Sequence, residues 1–546
     1  MNSPLRIAAI IFTLSLMFIS LSISWQPATQ AQTQSSTSRP SDGTAYQDAI
    51  RITDPKQKVE ALEKFIADYP RSQVLYRAHQ ATMRALIKIS PEQTGRILTH
   101  AQQTIETAPE PIKITSCNEV ATDLIEAGLL LDKAKEFANQ ALALASARFG
   151  QSQSMRPATA TRDALIGRIY LKQGKTKDAE KAFLSAYNAS PPAEILGSLP
   201  GSAFKQVACS LAELAEKSGK SDKVLDYLTT ALLFGKIDEA SKQRLETAYR
   251  RTHQNSLDGL EELVDAKYEK EFPLPVKAKP YQPASERSDR TVLAEVFTGS
   301  GCPPCVAMDL AYEAFLERYQ RQDVIVLMYH QHIPLPDPMS NPFSQARAKY
   351  YGVRGVPTFA IDGKANPPGG GARAATQQWY DRIRPLIEKQ LEVKAEAEIK
   401  LEAVMANSAI QVSAQVKPTV TDASNLKLQI ALVEERLRFS GENRVRFHPM
   451  VVRSLAGEHG SGFVLAEKTE GMTWRFDLTI ITQELKKHLD DLEQSRKDRG
   501  EESTFAEKKH AIDPSKLLVV AFVQDEKSKQ VLQAVSVKVN PAPTSR

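Results

Sequence analysis

Long apolar runs, net charge and cysteine are all scarce in this chain of 546 residues. Only residues 7–24 are apolar over a spanning length, so the sequence excludes a protein with several membrane helices. Lysine and arginine total 70 against 65 acidic residues, and because the basic residues are dispersed among acids, no nucleic-acid partner is expected. Four cysteines restrict thiol chemistry to few positions: Cys117, Cys209, Cys302 and Cys305.

The N-terminal segment has the pattern of an export signal. Arg6 supplies positive charge, residues 7–24 are apolar, and Thr29-Gln30-Ala31 is a small-residue cleavage site. We therefore expect a signal peptide over 1–31, a disordered mature start over 32–42, and an exported protein that is periplasmic or membrane-associated. Membrane anchoring through residues 7–24 is the alternative, because this run is just long enough to span a bilayer.

Residues 43–260 carry a helical repeat pattern, and a chain of this length is expected to form several domains. The clearest unit resembles the tetratricopeptide repeat in the spacing of Gly167, Tyr170, Ala179, Phe183, Ala186 and Pro191. The resemblance implies an all-α superhelix of about eight helices. Either its concave groove binds protein clients, or the superhelix acts only as a spacer between domains.

Helix starts and cysteine positions add detail to this region. N-caps are predicted at Asp54, before Pro55, and at Ser90, before Pro91. Cys117 and Cys209 fall in units two repeats apart, so their sulfurs should lie roughly 20 Å from each other and remain unpaired.

Proline-rich and alternating segments are found farther along the chain. Residues 272–283 contain four prolines, which predicts a linker over 261–289. Beyond residue 392 apolar and polar residues alternate, as in 410–417, and about seven such strands predict an all-β immunoglobulin-like sandwich over 393–546. A charged segment is predicted to interrupt it as a helical insertion over 483–510, with Leu485, Leu489 and Leu492 on one face.

Residues 290–392 contain a Cys-x-x-Cys pair where a predicted strand turns into a predicted helix. The apolar run 291–297 precedes Cys302-Pro303-Pro304-Cys305, and a helical pattern follows. A helix N-terminus presents unpaired N–H groups and partial positive charge, which favour the Cys302 thiolate, with the Cys305 N–H as its nearest donor. A second motif, Val356-Pro357-Thr358, places Pro357 52 residues after Cys305.

Together these motifs resemble the thioredoxin fold. Segment 295–305 is also similar to a bacterial outer-membrane-protein family that joins a thioredoxin-like domain to a β-sandwich. The resemblance implies an α/β domain over 290–392, in which Pro357 forms a cis peptide beside the disulfide and Val356 presents its backbone to a substrate peptide.

Two positions depart from thioredoxin itself. Val296 stands where thioredoxin has a buried, proton-transferring Asp, and Glu295 is expected on the opposite face of the strand. Gly301 stands where thioredoxin has a Trp. The resemblance therefore implies neither the usual proton acceptor nor the usual substrate face.

Two histidines follow a predicted buried strand over 324–329. His330 and His332 point the same way by alternation, at the kind of strand end where open α/β sheets bind ligands. Three roles are open: shaping the proline-rich loop that follows, tuning the pKa of Cys302, or binding copper or zinc together with the cysteine pair.

The favoured interpretation is an exported thiol–disulfide oxidoreductase. Cys302 attacks a disulfide, Cys305 resolves the mixed disulfide, and Val356 and Pro357 hold the substrate chain. Its partners are protein clients, recruited by the helical repeats, and a thiol redox partner; the exchange needs no cofactor. The alternatives are a non-catalytic scaffold and a copper- or zinc-delivery protein that uses the cysteine pair with a nearby histidine.

Overall fold

A computed structural model describes residues 41–150, 155–189, 201–283, 285–465, 471–501, 504–505 and 507–541. The predicted signal peptide over 1–31 and almost all of the predicted mature start lie outside these residues. Within the described part of the chain, no helix combines the length and the apolar character needed to cross a membrane. Ser41 and Asp42, the last residues of the predicted disordered start, are already structured as the N-cap and first residue of a helix.

The first part of the chain is helical. The described helices between residues 41 and 271 are Asp42–Arg51, Pro55–Asp68, Leu75–Ile89, Thr94–Glu106, Lys113–Ala127, Leu131–Phe149, Met155–Lys172, Thr176–Ala189, Gly201–Lys217, Ser221–Leu232, Glu239–Thr252 and Leu260–Glu271. The helical character predicted for 43–260 is confirmed, but the described helices are more numerous than the eight expected.

Local signals explain some helix bounds and fail at others. Asp54 caps its helix as predicted, because its carboxylate accepts the Gln57 N–H at 2.8 Å. The cap predicted at Ser90 is wrong: Ser90 ends the preceding helix, and the next begins at Thr94 without a side-chain cap.

The repeat positions pack as small and large partners. Phe183 is 1% exposed, and a Cβ added at Gly167 would lie 2.6 Å from its ring, so glycine permits close contact between helices Met155–Lys172 and Thr176–Ala189. Cys117 and Cys209 are both free thiols, as predicted. Cys117 is buried, and its burial raises its pKa to about 11.

The linker predicted over 261–289 begins later than expected. Helix Leu260–Glu271 occupies its first third, with Val264 and Tyr268 buried at helical spacing. The prolines that signalled a linker break the helical pattern only from Pro273 onward. Phe272, which ends the helix, joins a buried aromatic cluster with Phe204, Phe234, Tyr268 and Phe447.

The second part of the chain combines strands and helices. The strands are β1 Val292–Thr298, β2 Val324–His330, β3 Thr358–Ile361, β4 Lys364–Ala365, β5 Ala397–Ala406, β6 Ala409–Pro418, β7 Leu426–Arg438, β8 Phe447–Leu455, β9 Phe463–Val464, β10 Met472–Asp477, β11 Leu517–Asp525, β12 Val531–Lys538 and β13 Asn540–Pro541. The helices among them are Cys305–Arg318, Pro342–Tyr351, Thr376–Leu391 and Leu478–Asp498.

The described strands form two sheets. The larger has nine strands, in the order β12-β11-β7-β8-β2-β1-β3-β4, with β9 added beside β7. The smaller has the order β10-β6-β5-β13. In the larger sheet β1 is parallel to β2 and antiparallel to β3. The mixture of helical and α/β parts predicted from the sequence is confirmed.

The larger sheet crosses the boundary that was predicted at residue 392. Strand β2 pairs in parallel with β8 through Met328 and Val451, and one buried core includes residues of β1 and β2 together with Leu518 and Val520 of β11. The prediction of a separate seven-stranded sandwich over 393–546 is therefore incomplete, because β7, β8, β11 and β12 belong to the same sheet as β1 and β2. Instead, β7 and β11 pack their other face against the smaller sheet through a second core.

The helical insertion predicted over 483–510 is displaced toward the N-terminus. The helix spans Leu478–Asp498, and its buried face is formed by Leu478, Ile481, Leu485 and Leu489. Asp477 caps it, accepting the Thr479 and Ile480 N–H groups, and the chain turns at Gly500 with φ of 75°. The predicted segment missed the apolar first turn because that turn continues the apolar pattern of β10.

Candidate redox site

The two cysteines of the motif are joined between a buried strand and a helix. Strand β1 ends at Thr298, a short turn carries Cys302, and the next helix begins at Cys305. The sulfurs of Cys302 and Cys305 are bonded at 2.09 Å, and their Cα atoms are 5.4 Å apart. This is the strand–turn–helix placement predicted from the sequence.

The N–H groups of the first helical turn are already used. The Cys305 N–H donates to the Cys302 carbonyl oxygen at 3.1 Å, and the Ala307 N–H donates to the Gly371 carbonyl at 3.0 Å. In the oxidised pair the Cys305 N–H therefore bonds a carbonyl oxygen, and its predicted role as donor to the Cys302 thiolate of the reduced pair stays a prediction. The helix dipole would favour the same thiolate.

Val356 and Pro357 lie beside the disulfide. The peptide bond between them is cis, as the resemblance implied. The carbonyl oxygen of Val356 is 3.7 Å from Sγ of Cys302. The Gly369 N–H donates to the Pro357 carbonyl at 3.2 Å, which holds the glycine-rich loop 369–371 against this segment.

A loop of residues 331–338, here called the cover loop, packs against the disulfide turn. Cys302 is 1% exposed. A Cβ added at Gly301 would lie 2.9 Å from Cβ of Leu335, so glycine at this position lets the loop approach. Leu335 itself is 44% exposed, which makes it an apolar side chain in contact with both the disulfide turn and solvent.

A buried carboxyl group, which the sequence reasoning missed, lies behind the cysteines. Asp309 follows Cys305 by four residues, which puts both side chains on one helix face with Cβ atoms about 5–6 Å apart. Its Oδ1 accepts the Thr298 hydroxyl at 2.6 Å, and its Oδ2 has no hydrogen-bond partner among the described residues. Burial raises the pKa of Asp309 to about 7. The available signal was a lone acid within the apolar run 306–311.

His330 belongs to a buried polar group beside Asp309. Its Nδ1 lies 2.9 Å from Oδ2 of Asp337, and its ring contacts that of His448 edge-on, with centroids 5.0 Å apart. Burial alone would raise the pKa of Asp337, but His330 and the N–H groups of Ser300 and Met339 hold it well below its usual range. Burial and the charge of His330 lower the pKa of His448 to about 3.

Asp337 connects this group to the disulfide turn. Its Oδ2 accepts the Ser300 N–H at 2.6 Å, two residues before Cys302. Its own N–H donates to Nδ1 of His332 at 3.0 Å. The two sequence-predicted histidines therefore both bond Asp337, His330 through the carboxylate and His332 through the backbone N–H, and position the cover loop. This is the loop-shaping role among the three considered.

His332 also contacts the inserted helix Leu478–Asp498. Because its Nδ1 accepts an N–H, its proton is on Nε2, which donates to Nε2 of His488 at 3.2 Å. Burial, followed by the charge of His488, lowers the pKa of His332 to about 4. The cover loop is thus bonded on one side to the disulfide turn and on the other to this helix.

Glu295 takes part in a separate buried ion pair. Its carboxylate accepts Nε and Nη2 of Arg347 at 2.6 and 2.9 Å, and the Tyr351 hydroxyl at 2.6 Å. Arg347 also donates to Gln524 of β11 at 2.7 Å. Through Arg347, Glu295 therefore connects β1 to β11. Its side chain lies on the opposite face of β1 from that of Val296.

The metal-binding alternative requires the cysteine pair together with a nearby histidine. Among the described residues, no cluster of three or more His, Cys, Asp or Glu side chains has metal-binding geometry. His330 and His332 are instead committed to Asp337 and His488.

Comparisons with known proteins find no family model and no curated protein that match this chain. Among solved structures, HBP35 of Porphyromonas gingivalis is similar over 47% of this chain and 79% of its own, with 15% identity and a TM-score of 0.34. BtubC (BKLC) from P. vanneervenii is similar over 45% of this chain and 98% of its own, with 17% identity and a TM-score of 0.29. Likenesses this weak carry no argument about fold or function.

Proposed function

We propose that this protein is an exported thiol–disulfide oxidoreductase with a thioredoxin-like redox unit over 290–392. The observation that carries the proposal is the disulfide between Cys302 and Cys305 at a strand-to-helix turn, with the Val356 carbonyl 3.7 Å from Sγ of Cys302. The helices over 42–271 are interpreted as a tetratricopeptide-like array that recruits the client, and the strands beyond 393 as immunoglobulin-like support.

The proposed exchange moves two electrons without a cofactor. In the reduced pair, the Cys302 thiolate attacks one sulfur of a client disulfide, forming a mixed disulfide and releasing one client thiolate. Cys305 then loses its proton and attacks Sγ of Cys302, which releases the second client thiolate. One disulfide forms in the protein as one breaks in the client, and the reverse sequence oxidises a client dithiol.

Asp309 is the proposed acceptor of the Cys305 proton. Its pKa of about 7 lies near neutral pH, so the carboxyl group can both take up and release a proton during turnover. Its unpaired Oδ2 is free of competing hydrogen bonds among the described residues. This supplies from the helix the acid–base group that Val296 does not supply from the strand.

Trapping of mixed disulfides tests the proposal. Replacing Cys305 with Ala removes the resolving thiol, so Cys302 should stay covalently bonded to its clients in cells that export the protein. We expect dithiothreitol-sensitive, higher-mass species on non-reducing gels. A Cys302→Ala/Cys305→Ala variant is the matched control and should show none; equal patterns for the two variants would contradict the proposal.

Burial of the disulfide favours a second candidate, a non-catalytic binding protein in which the pair is a structural clip. Cys302 and Cys305 are only 1% and 0% exposed. On this alternative the double Cys→Ala variant keeps its partners in pull-down experiments but loses thermal stability. On the oxidoreductase proposal, the same variant loses every covalent partner.

A further inference from the structure

A wide cleft separates the helical part of the chain from the redox region. Its volume is about 2200 Å³, and its walls include Phe234 and Lys236 of the helical part, Ser300 and Gly301 of the disulfide turn, and Leu335 of the cover loop. Small-molecule sites usually measure about 300–1,000 Å³, so this central cleft has room for an extended polypeptide segment.

Three basic side chains gather on one wall of the central cleft. Nζ of Lys205 donates to the carbonyl oxygen of Lys236 at 2.8 Å, and the Arg444 guanidinium donates to the carbonyl oxygen of Phe234. The Arg444 guanidinium also lies 5.7 Å from the centre of the Phe234 ring. The turn 234–236 therefore carries two neighbouring cations in addition to its own lysine.

These cations have no acidic partner within ion-pair distance in the described part of the chain, in contrast to other charges on the same walls. Arg446 pairs with Glu261 at 2.9 Å, and Arg496 pairs with Glu501 at 2.8 Å. Glu442 lies close enough to favour the charged form of Arg444, but is not paired with it. With three cations and the single nearby carboxylate of Glu442, the wall beside residues 234–236 thus keeps a net positive charge.

The basic wall is joined directly to the disulfide turn. The loop that carries Arg444 bonds to that turn: the Asn443 N–H donates to the Ser300 carbonyl at 2.9 Å, and its side chain donates to the Gly299 carbonyl at 3.3 Å. A chain lying along the cleft would therefore pass from the cations to Leu335, the side chain that covers Gly301, the residue before Cys302.

We propose that the central cleft binds an acidic, extended segment of the client protein and delivers its cysteine to Cys302. The inference rests on the proposed oxidoreductase function and adds the chemistry of the substrate. Charge complementarity identifies the occupant, because carboxylates on the client would pair with Lys205, Lys236 and Arg444. Acidic flanks would also speed the encounter at low ionic strength.

Peptide exchange kinetics test this inference. The reduced full-length protein is mixed with a disulfide-containing peptide flanked by Glu and Asp, with its Lys-flanked counterpart, or with bis(2-hydroxyethyl) disulfide, which is small and neutral. We expect the acidic peptide to react about tenfold faster than the basic one at low salt, with the difference shrinking as salt is added.

Charge-reversal variants locate the effect. Lys205→Glu/Lys236→Glu should remove the preference for the acidic peptide and leave the rate with the small disulfide unchanged. The exposed residue Lys236 is also tested alone as Lys236→Glu, which avoids any effect on folding. The matched control is Lys177→Glu/Lys181→Glu, two exposed lysines on helix Thr176–Ala189, which should behave as wild type.

The possible outcomes distinguish failure of the acidic-client inference from failure of the proposed oxidoreductase function. Equal rates for the two peptides, or a cleft variant that keeps the preference, would overturn the acidic-client inference while exchange with the small disulfide upholds the oxidoreductase. If the small disulfide does not react either, both are overturned. Fluorescence anisotropy of a labelled acidic peptide, with serines in place of its cysteines, measures binding without disulfide exchange. We expect the Lys205→Glu/Lys236→Glu variant to lose affinity for this peptide.

Discussion

Asp309 is the carboxyl group behind the disulfide whose pKa is raised by burial. It is 3% exposed, bonds Thr298 through one oxygen, and lies one helical turn beyond Cys305. Cys302 and Cys305 could be predicted from their Cys-x-x-Cys motif, and Val356 and Pro357 from the resemblance to the thioredoxin fold. Asp309 could not be predicted in this way, since its effect depends on burial against β1, which local sequence does not reveal.

Replacing Asp309 with Asn should change the pH dependence of stability. In the unfolded chain an Asp loses its proton near pH 4, whereas in the folded protein Asp309 holds it to about pH 7. Between those values the folded state binds more protons, so wild-type stability falls as pH rises. The variant should gain on the order of 4 kcal/mol relative to wild type between pH 4 and 8, measured by urea unfolding.

The Asp309→Asn variant also tests the proposed role of Asp309 in proton transfer, through the rate of mixed-disulfide resolution. Desolvation also raises the pKa of the partly buried Glu313 to about 7, but this residue is present in both proteins, so its contribution cancels in the stability comparison. We expect Asp309→Asn to slow resolution of the mixed disulfide by at least about tenfold at neutral pH while leaving the first attack by Cys302 unchanged. An unchanged resolution rate would remove Asp309 from the mechanism.

The cover loop is the element that packs against the disulfide turn. Asp337 holds it to Ser300 and His330, and His332 holds it to His488. The proline-rich sequence 334–342 predicted an irregular loop here. Its partner His488 could not be foreseen, because that residue lies 156 positions away on an inserted helix whose start was placed too late.

Shortening the side chain that covers the disulfide turn should make the pair more reactive. Leu335→Ala removes apolar atoms that lie over Gly301, so we expect Cys302–Cys305 to be reduced severalfold faster by dithiothreitol, followed by thiol labelling. Leu386→Ala is the matched control, because Leu386 is 38% exposed on a helix away from the loop. Equal reduction rates in both variants would mean that the loop does not limit access.

The whole molecule is held together by contacts between segments far apart in sequence. Arg446 of the loop before β8 bonds Asp265 at 2.6 Å and Glu261 at 2.9 Å, which attaches the last helix of the array to the larger sheet. Arg347 and Glu295 attach the redox region to β11 through Gln524. Removing one member of the buried Arg347–Glu295 pair should cost about 3–5 kcal/mol.

Structure that is determined locally could be predicted from the sequence, whereas structure that depends on long-range strand pairing could not. The buried strand 324–329 was recognised from its continuous apolar run, and β2 is Val324–His330 with every residue buried. That β2 continues into β8 through Met328 and Val451 could not be read from alternation. Alternation identifies a strand face but not the neighbouring strand, so the extent of the larger sheet was missed.

Glutathione redox titration of the Cys302–Cys305 pair in the full chain tests the central claim most directly. Thiol labelling at each ratio of reduced to oxidised glutathione would report the reduced fraction, with Cys117→Ser/Cys209→Ser as the background that removes the other thiols. We predict reversible equilibration at a potential between about −270 and −120 mV, the range of thioredoxin-like reductants and oxidants. A pair that stays oxidised at every ratio, and is reduced only when the protein unfolds, would contradict the account and identify the disulfide as a structural clip.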